Sequence, residues 1–490
     1  MTLIRISNLT YGYDNSIEPI FQGVSLQIDT SWKLGLIGRN GRGKTTFLKL
    51  LHGQYDFKGT INPMVECDYF PFDDFNKNEK TSIILNRICD DYKLWQVKRE
   101  LSLLEVSETV IDSPFAKLSN GEQTKVLLAA LFLKTNKFLL IDEPTDHLDM
   151  DARQVVSQYL KSKEGFILVS HDRTFLDNCI DHVLSINKMN IEIQKGNFSS
   201  WQYNKDLQDN FELSKSKKLK KELKRLSSSA RRTAGWSNKI EASKTGMGDV
   251  DRGYIGHKAA KMMKRSKTVA KRRQKTLEEK AMLTKNIEAA DSLYMKPLLY
   301  YKNELIEIDN LSIFYSKRQI CKNVRFTVNR GDRVVLMGKN GTGKSSILKV
   351  ILGQRPVYNS QVRIGAGLKI SYIPQDTSFL EGTLREFAQK HALNEPLFKA
   401  VLDRLGFTES QHEMNMKEFS DGQKKKVYLA GSLCQEAHLY IWDEPLNYID
   451  VISRIQIEDL ILRDQPTMLF VEHDYSFVKA ITTKQVKLDN

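Results

Sequence analysis

No stretch of this 490-residue chain is apolar enough to cross a bilayer. Its longest apolar run, "VLLAALFL" (residues 126–133), falls well short of the roughly 20 residues a spanning helix needs, and mean hydropathy is −0.42. The opening "MTLIRISNLTYGY" lacks the basic start and apolar core of a secretory signal, so a cytoplasmic location is expected. Cysteine is scarce as well. Cys67, Cys89, Cys179, Cys321 and Cys434 are scattered with no C-x-x-C pair, which argues against a zinc ribbon, an iron–sulfur cluster or a disulfide framework and leaves the expectation of buried thiols in a reducing compartment. Aromatic and acidic residues both thin out in one region. Between Phe211 and Tyr294 only Trp236 and Tyr254 are Phe, Tyr or Trp, and residues 211–285 hold 23 Lys or Arg against 7 Asp or Glu. That segment carries +16 of a total of +14, leaving −2 for the other 415 residues. Charge so concentrated points to a polyanionic partner; a solvated spacer is the alternative, although a spacer would mix the two signs more evenly.

At this length two or three hydrophobic cores are expected, and the chain repeats itself. "GRNGRGKTT" (38–46) returns as "GKNGTGKSS" (338–346), and "FLLIDEP" (138–144) returns as "LYIWDEP" (439–445), at offsets of 300 and 301. Each glycine loop follows a β-rich run, "KLGLIG" or "RVVLMG", and opens a helical pattern, "TTFLKLLHG" or "SSILKVILG". Strand, loop and helix is the context that a phosphate-binding loop requires. These patterns predict two α/β domains, residues 1–202 and 299–490, flanking a dissimilar middle, 203–298. The middle reads as helix except at its centre: Leu219, Leu223 and Leu226 form one stripe and Leu283, Ile287, Ala290 and Tyr294 another. Gly246, Gly248, Gly253 and Gly256, with Asp249 and Asp251, are poor helix formers and predict a turn at about 239–258, hence an antiparallel hairpin. About 35 residues per helix at ~1.5 Å each gives a rod of roughly 50 Å.

The loop chemistry is specific. Glycines let backbone N–H groups curl around phosphates at a helix N-terminus, a lysine reaches the outer phosphates, and a hydroxyl binds magnesium. Gly38, Gly43, Lys44 and Thr45, with Asn40, Gly41 and Thr46, supply one loop; Gly338, Gly343, Lys344 and Ser345, with Asn340, Gly341 and Ser346, supply the other. Asp142 and Asp443 each end an apolar run and suit magnesium, while the following Glu143 and Glu444 suit orientation or deprotonation of an attacking water. His171 and His473 lie 28 and 29 residues beyond those glutamates, placed to contact a terminal phosphate; the bland alternative, a satisfied core histidine, loses weight because the spacing repeats. "LSNGEQTK" (118–125) and "FSDGQKKK" (419–426) put Ser119 and Ser420 each 24 residues before the glutamate. Alone, each would be only a helix cap; with the rest, each is a second anion site.

Together with "DHLD" (146–149) and "NYID" (447–450), this set resembles the ATP-binding cassette superfamily over both outer domains. The resemblance implies ATP and Mg²⁺ as cofactors, hydrolysis of ATP, and two cassettes of one monomer paired head to tail. The implied first site joins residues 38–45, Asp142, Glu143 and His171 with Ser420, Gly422 and Gln423. The implied second joins residues 338–345, Gln375, Asp443, Glu444 and His473 with Ser119, Gly121 and Glu122. Tyr13 and Tyr315 resemble the aromatic that stacks on adenine, with ordinary packing as the alternative. Gln375 in "YIPQD" matches the family's glutamine loop and a magnesium ligand, whereas "YFPFD" has Phe72 there. A phenyl ring neither ligates metal nor orients water, so a slower first site is expected.

Two fused cassettes, no membrane span and a basic helical hairpin between them resemble the ABC-F subfamily, whose members act on ribosomes. Only 46 residues separate Phe72 from Leu118, and 44 separate Gln375 from Phe419, leaving no room for the helical arm usual in housekeeping members; with 17 residues after His473, no C-terminal extension is expected. Length, the missing arm, "LSNGEQ", "FPF" and the glycine-rich tip are most similar to Lsa-type resistance proteins. That resemblance implies a bacterial 70S partner approached from the exit-site side, with Lys244, Tyr254, Ile255 and His257 at a tip near 23S rRNA and P-site tRNA. It also implies release of lincosamides, pleuromutilins or streptogramin A compounds. Tyr254 is read within the turn, free to stack on a base, or else closing the turn on its own helix. A housekeeping translation factor and the paired ATPase of a transporter are the rival readings; neither DNA nor a membrane partner is expected.

Overall fold

The computed structural model describes residues 2–13, 19–62, 65–72, 75–89, 92–134, 137–146, 148–187, 190–242, 252–283, 293–315, 318–354 and 357–488. The apolar runs noted above become parallel strands buried on both faces. In the first cassette the order is Cys67–Phe70, Phe138–Asp142, Phe166–Val169, Lys33–Gly38, His182–Ile186 and Ile191–Lys195, parallel except for the last pair. Every residue of "FLLID" and "FILV" is buried, as a sheet covered by helices demands. The second cassette repeats this with Ile370–Ile373, Leu439–Asp443, Met468–Val471, Arg333–Met337 and Lys484–Lys487, all parallel. Each cassette adds a three-stranded antiparallel sheet, Phe21–Asp29, Leu3–Tyr11, Lys58–Asn62 in one and Arg318–Asn329, Glu304–Tyr315, Val357–Ile364 in the other. The protein is therefore two tandem α/β cassettes joined by a helical hairpin.

The functional loops sit at the carboxyl ends of the parallel strands, where open α/β sheets place their ligands. Strand Lys33–Gly38 feeds the loop that opens helix Lys44–Leu51, and Arg333–Met337 does the same for Lys344–Ile351. Gly43 and Gly343 cap these helices at φ 89° and 90°, and a β-carbon on Gly43 would stand 2.6 Å from the Ile20 side chain. Glycine is required there both by backbone angle and by space.

Residues 200–289 form a separate compact unit, and the two cassettes form the other. Its helices are Phe198–Ala242, 45 residues, and Arg252–Leu283, 32 residues. At ~1.5 Å per residue the first alone spans roughly 65–70 Å, longer than expected. Three readings change. The second helix already begins at Arg252, so Gly253, Tyr254 and Gly256 lie within it instead of in a turn; each helical glycine costs only ~1 kcal/mol against alanine, and the following Ala, Lys and Met residues are strong formers. Tyr294 is not on a helical stripe, because residues 293–300 are irregular and it is exposed, while Leu293 and Met295 enter the core of the second cassette. Ile287 and Ala290 lie outside the described residues. Of the cysteines, Cys89, Cys179 and Cys321 are buried as expected, but Cys67 and Cys434 are only partly so, and all five are free thiols. Among the described residues, no helix is long and apolar enough to cross a membrane.

One charged group is central to the second cassette. Arg454 is buried; it donates to Asp474 Oδ2 at 3.0 Å and to the carbonyls of Ile449 and Leu446, each at 2.9 Å. Replacing it by methionine leaves a buried carboxylate and two carbonyls without their donor, a loss of about 3–5 kcal/mol by the usual cost of breaking a buried pair. Arg454→Met should accordingly lower the thermal midpoint of the full chain by several degrees, and an unchanged melting curve would count against this assignment.

Candidate functional site

Two clefts between the cassettes, each assembled from both, gather the expected residues. The first, about 670 Å³, is lined from one side by Tyr13, Asn40, Gly41, Gly43, Lys44, Thr45, Thr46, Asp142, Glu143 and His171 and from the other by Ser420, Gly422 and Gln423. The second, about 790 Å³, brings Tyr315, Asn340, Gly341, Gly343, Lys344, Ser345, Ser346, Gln375, Glu444 and His473 against Ser119, Gly121 and Glu122. Gly38 and Gly338 stand at the loop bases, where their carbonyls accept from Lys44 at 2.9 Å and Lys344 at 2.7 Å. Asp443 is buried behind Ser345, whose hydroxyl donates to it at 3.2 Å.

The serines are where their local sequence puts them. Ser119 caps helix Asn120–Leu133 and Ser420 caps Asp421–Cys434, each accepting from the backbone N–H three residues on. Glu122 and Gln423 reach back to the serine N–H at 2.9 and 2.8 Å. This capping box aims a helix N-terminus into the opposite cassette's cleft. The two tyrosines are nearly half exposed at the cleft rims; Tyr13 Oη lies 2.9 Å from Thr46 Oγ1, and Tyr315 Oη accepts from Ser346 at 3.3 Å.

Around the carboxylates the clefts diverge. Thr45 donates to Asp142 Oδ2 at 2.8 Å, and Tyr69 donates to the same oxygen at 2.9 Å. Glu143 and Glu444 both sit at φ 48°, a left-handed backbone that costs of order 1–3 kcal/mol and gathers at functional sites. Beyond that they differ. Glu444 accepts from Gln375 Nε2 at 3.0 Å and Asn447 Nδ2 at 2.7 Å, with His473 Nε2 at 3.6 Å. Burial pushes its pKa up, but the facing imidazole and these two donors outweigh burial and hold it at about 2. Glu143 has His171 Nε2 at 3.1 Å. Burial, then the like charges of Asp146 and Asp142, push its pKa up to about 8. Burial, with Lys44, Arg454 and Lys426 nearby, takes His171 well below its ordinary range, so it is neutral. Phe72 turns edge-on to Phe70, and the Lys134 ammonium stands 5.2 Å from its ring centroid.

Some of this the sequence reading passed over. Asp146 stands where the second cassette has Asn447, a one-atom difference that turns a donor into a like charge. Asn40 crosses the interface, donating through Nδ2 to Tyr448 O at 2.6 Å and through its backbone N–H to Asp450 Oδ2 at 3.4 Å. Arg39 donates to Arg404 O at 3.0 Å, and Arg153 to His473 O at 3.4 Å. Position-by-position comparison of the two repeats would have exposed the Asp146/Asn447 difference; the cross-interface bonds leave no mark in sequence. Of the expected tip residues, Lys244 lies outside the described residues, while Tyr254, Ile255 and His257 occupy the first two turns of helix Arg252–Leu283, with His257 exposed.

A family model described as "ABC transporter" matches residues 21–146 and 321–447, more than half of the chain. Ribosome protection protein VmlR of Bacillus subtilis (strain 168) is 28% identical over 496 residues, covering 100% of this chain and 87% of that protein. ATP-binding protein Uup of Buchnera aphidicola subsp. Schizaphis graminum is 25% identical over 99% of this chain and 80% of its own length. In a solved structure titled as a model of ribosome-bound archaeal Pelota and ABCE1, one chain aligns with TM-score 0.65 at 19% identity, covering 98% of this chain and 78% of that one; likeness at that level concerns the fold. Membership of the ABC transporter family follows from the match to both cassettes, and the chain is accordingly an ATP-binding ATPase whose full-length resemblance is to the ABC-F branch.

Proposed function

We propose that this chain is a ribosome protection ATPase. In this reading it binds the bacterial 70S ribosome from the exit-site side, extends its hairpin among 23S rRNA and P-site tRNA towards the peptidyl-transferase centre, and dislodges lincosamide, pleuromutilin or streptogramin A type drugs. Its place in the cell is then the cytoplasm, on ribosomes. The observation that carries the proposal is the charge on the second hairpin helix. Lys261, Lys264, Arg265, Lys267, Lys271, Arg272, Arg273 and Lys275 are all exposed, with no acidic residue from 252 to 277. Such a helix neutralises phosphates by counterion release, an attraction that is strong, salt-sensitive and blind to sequence. The full-length likeness to a protein named for ribosome protection supports the same reading. A housekeeping translation factor of the same branch is the second reading, because the likeness to Uup, named only for ATP binding, is nearly as high and as long as that to VmlR.

In each cleft the phosphate loop and the opposite signature serine hold ATP between them, so binding draws the cassettes together. Thr45 with Asp142, and Ser345 with Gln375 and Asp443, are hydroxyl, amide and carboxylate oxygens of the kind that hold magnesium, whose charge would offset that of the phosphates. Glu444, ionised and held by Gln375 and Asn447, is suited to take a proton from water. His473 and His171, each beside its glutamate, are suited to contact a terminal phosphate. Glu143 lacks both amide donors, faces Asp146 and has Phe72 in place of the glutamine, so the first cleft hydrolyses more slowly and prolongs the closed state. Hydrolysis then acts as a timer that opens the clamp and withdraws the hairpin.

Single-turnover hydrolysis should be faster in Glu143→Gln, which leaves the second cleft, than in Glu444→Gln, which leaves the first; equal rates would refute the asymmetry. In the Glu444→Gln chain the remaining turnover needs Glu143 ionised, so it should rise with pH as Glu143 loses its proton near pH 8. Adding Asp146→Asn removes a like charge and should move that rise to lower pH, whereas an unmoved profile discounts Asp146 as the cause. With both glutamates changed to Gln, each loses its general base, about 10²–10⁴-fold in rate. The doubly changed chain should then sediment with 70S particles in ATP and less so as salt increases; failure to co-sediment defeats the ribosome reading. Expression of the unchanged chain in a sensitive strain should raise inhibitory concentrations of the named drugs, and Tyr254→Ala should lose that protection while still co-sedimenting. Unchanged inhibitory concentrations would favour the housekeeping factor.

A further inference from the structure

Helix Asp421–Cys434 begins at the first cleft, but Lys425 on it reaches back into its own cassette. Its side chain is 2% exposed. The ammonium donates to Pro374 O at 2.8 Å, Gln375 O at 3.3 Å and Asp443 O at 3.0 Å, so all three of its protons find a carbonyl. Two of those carbonyls belong to the loop that carries Gln375, and the third ends strand Leu439–Asp443. The lysine therefore ties loop to strand directly behind the second cleft. On the cleft side Gln375 Oε1 accepts from Ser345 Oγ at 3.4 Å and Gln375 Nε2 donates to Glu444 Oε1 at 3.0 Å. The amide thus spans two groups on different elements, and its place depends on where the loop backbone is held.

The other repeat supplies an internal comparison. Thr124 occupies the position of Lys425, and its hydroxyl donates to Asn120 O of its own helix at 3.0 Å. Phe72 occupies the position of Gln375. The cassette without the amide is also the cassette without the clamp. Burying an ammonium is unfavourable, and an apolar side chain of similar size would fill the same space without that penalty; packing alone does not account for a lysine here.

We propose that Lys425 is a positioning residue for hydrolysis in the second cleft, clamping the Gln375 loop to the strand end so that the amide bridges Ser345 and Glu444. This rests on the reading of the second cleft as a hydrolysing site. The test uses the full chain carrying Glu143→Gln and reads the second cleft by single-turnover hydrolysis, the maximal rate standing for kcat and the half-saturating ATP concentration for KM, because a blocked first cleft prolongs closure. Lys425→Met should lower kcat roughly tenfold to a hundredfold, the scale of a misplaced catalytic group, while KM for ATP stays within about twofold. Gln375→Ala should cost a similar factor alone and less than about threefold when added to Lys425→Met, because the two act as one unit. Lys425→Gln, which keeps one donor, should recover part of kcat and is read in the same assay if the methionine variant melts early. A purely structural lysine would instead raise KM, and its losses would multiply with those of Gln375→Ala. Multiplied losses, or unchanged kcat in Lys425→Met, overturn the proposal alone; a Glu143→Gln parent with no turnover overturns the reading of the second cleft, and the proposal with it.

Discussion

Neither phosphate loop in this protein is a complete site. Each faces a helix N-terminus that belongs to the other cassette, and the serine capping that helix lines the cleft from the far side. A polyanion in either cleft therefore meets two sets of backbone N–H dipoles converging from separate domains. Binding energy and domain apposition become one quantity. The polar bonds that already cross the interface, from Asn40 to Tyr448 and Asp450 and from Arg153 to His473, fix the register in which the two halves meet. Arg173 paired with Glu458, and Thr174 with Ser476, extend that register away from the clefts. Because each is a directed polar contact, sliding one cassette by a residue would break several at once.

The two halves share a fold and differ around their glutamates. Their sheets have the same strand order around the phosphate loop, and their glutamates adopt the same unusual backbone angle. What differs is a handful of side chains whose effects add in one direction. Gln375, Asn447 and Lys425 stabilise an ionised Glu444 or hold its partners, while Phe72, Asp146 and Thr124 do none of this for Glu143. The geometry of a cassette is set by sheet, loop and caps, and both halves keep it. The donors around the glutamates are what differ, and they diverge without disturbing the core.

How much of this could be read from the sequence follows the same division. Features held by local rules were legible: the strand, loop and helix around Lys44 and Lys344, the capping serines, the paired carboxylates, and the repeat that doubles them. Features held by tertiary geometry were not. The Lys425 carbonyl cage joins residues about 50 positions apart through backbone atoms, which carry no side-chain signature. Asp146 looked like part of a motif until Asn447 was seen donating to Glu444. In the hairpin, glycine and aspartate content marked a turn too broadly, because tolerance of glycine inside a helix depends on its neighbours. The stripe drawn through Tyr294 failed there because residues 293–300 are irregular, with Leu293 and Met295 buried in a core and Tyr294 between them exposed, an alternation that helical spacing does not describe.

That docked segment and the residues just before the hairpin are both anchored within the cassettes. On the entry side, helix Phe198–Ala242 starts at the buried Phe198, and the Ser199 N–H donates at 2.7 Å to Asp177 on helix Arg173–Cys179, which follows His171 of the first cleft. On the exit side, Leu298 N–H donates to Ala437 O at 2.8 Å, just beyond helix Asp421–Cys434, whose opposite end is the Ser420 of that same cleft. Arg463 holds Leu293 O at 2.9 Å, and Tyr300 holds Ala366 O at 2.8 Å. Both roots thus attach to elements whose far ends line the first cleft, and helices are stiff enough to carry small displacements end to end.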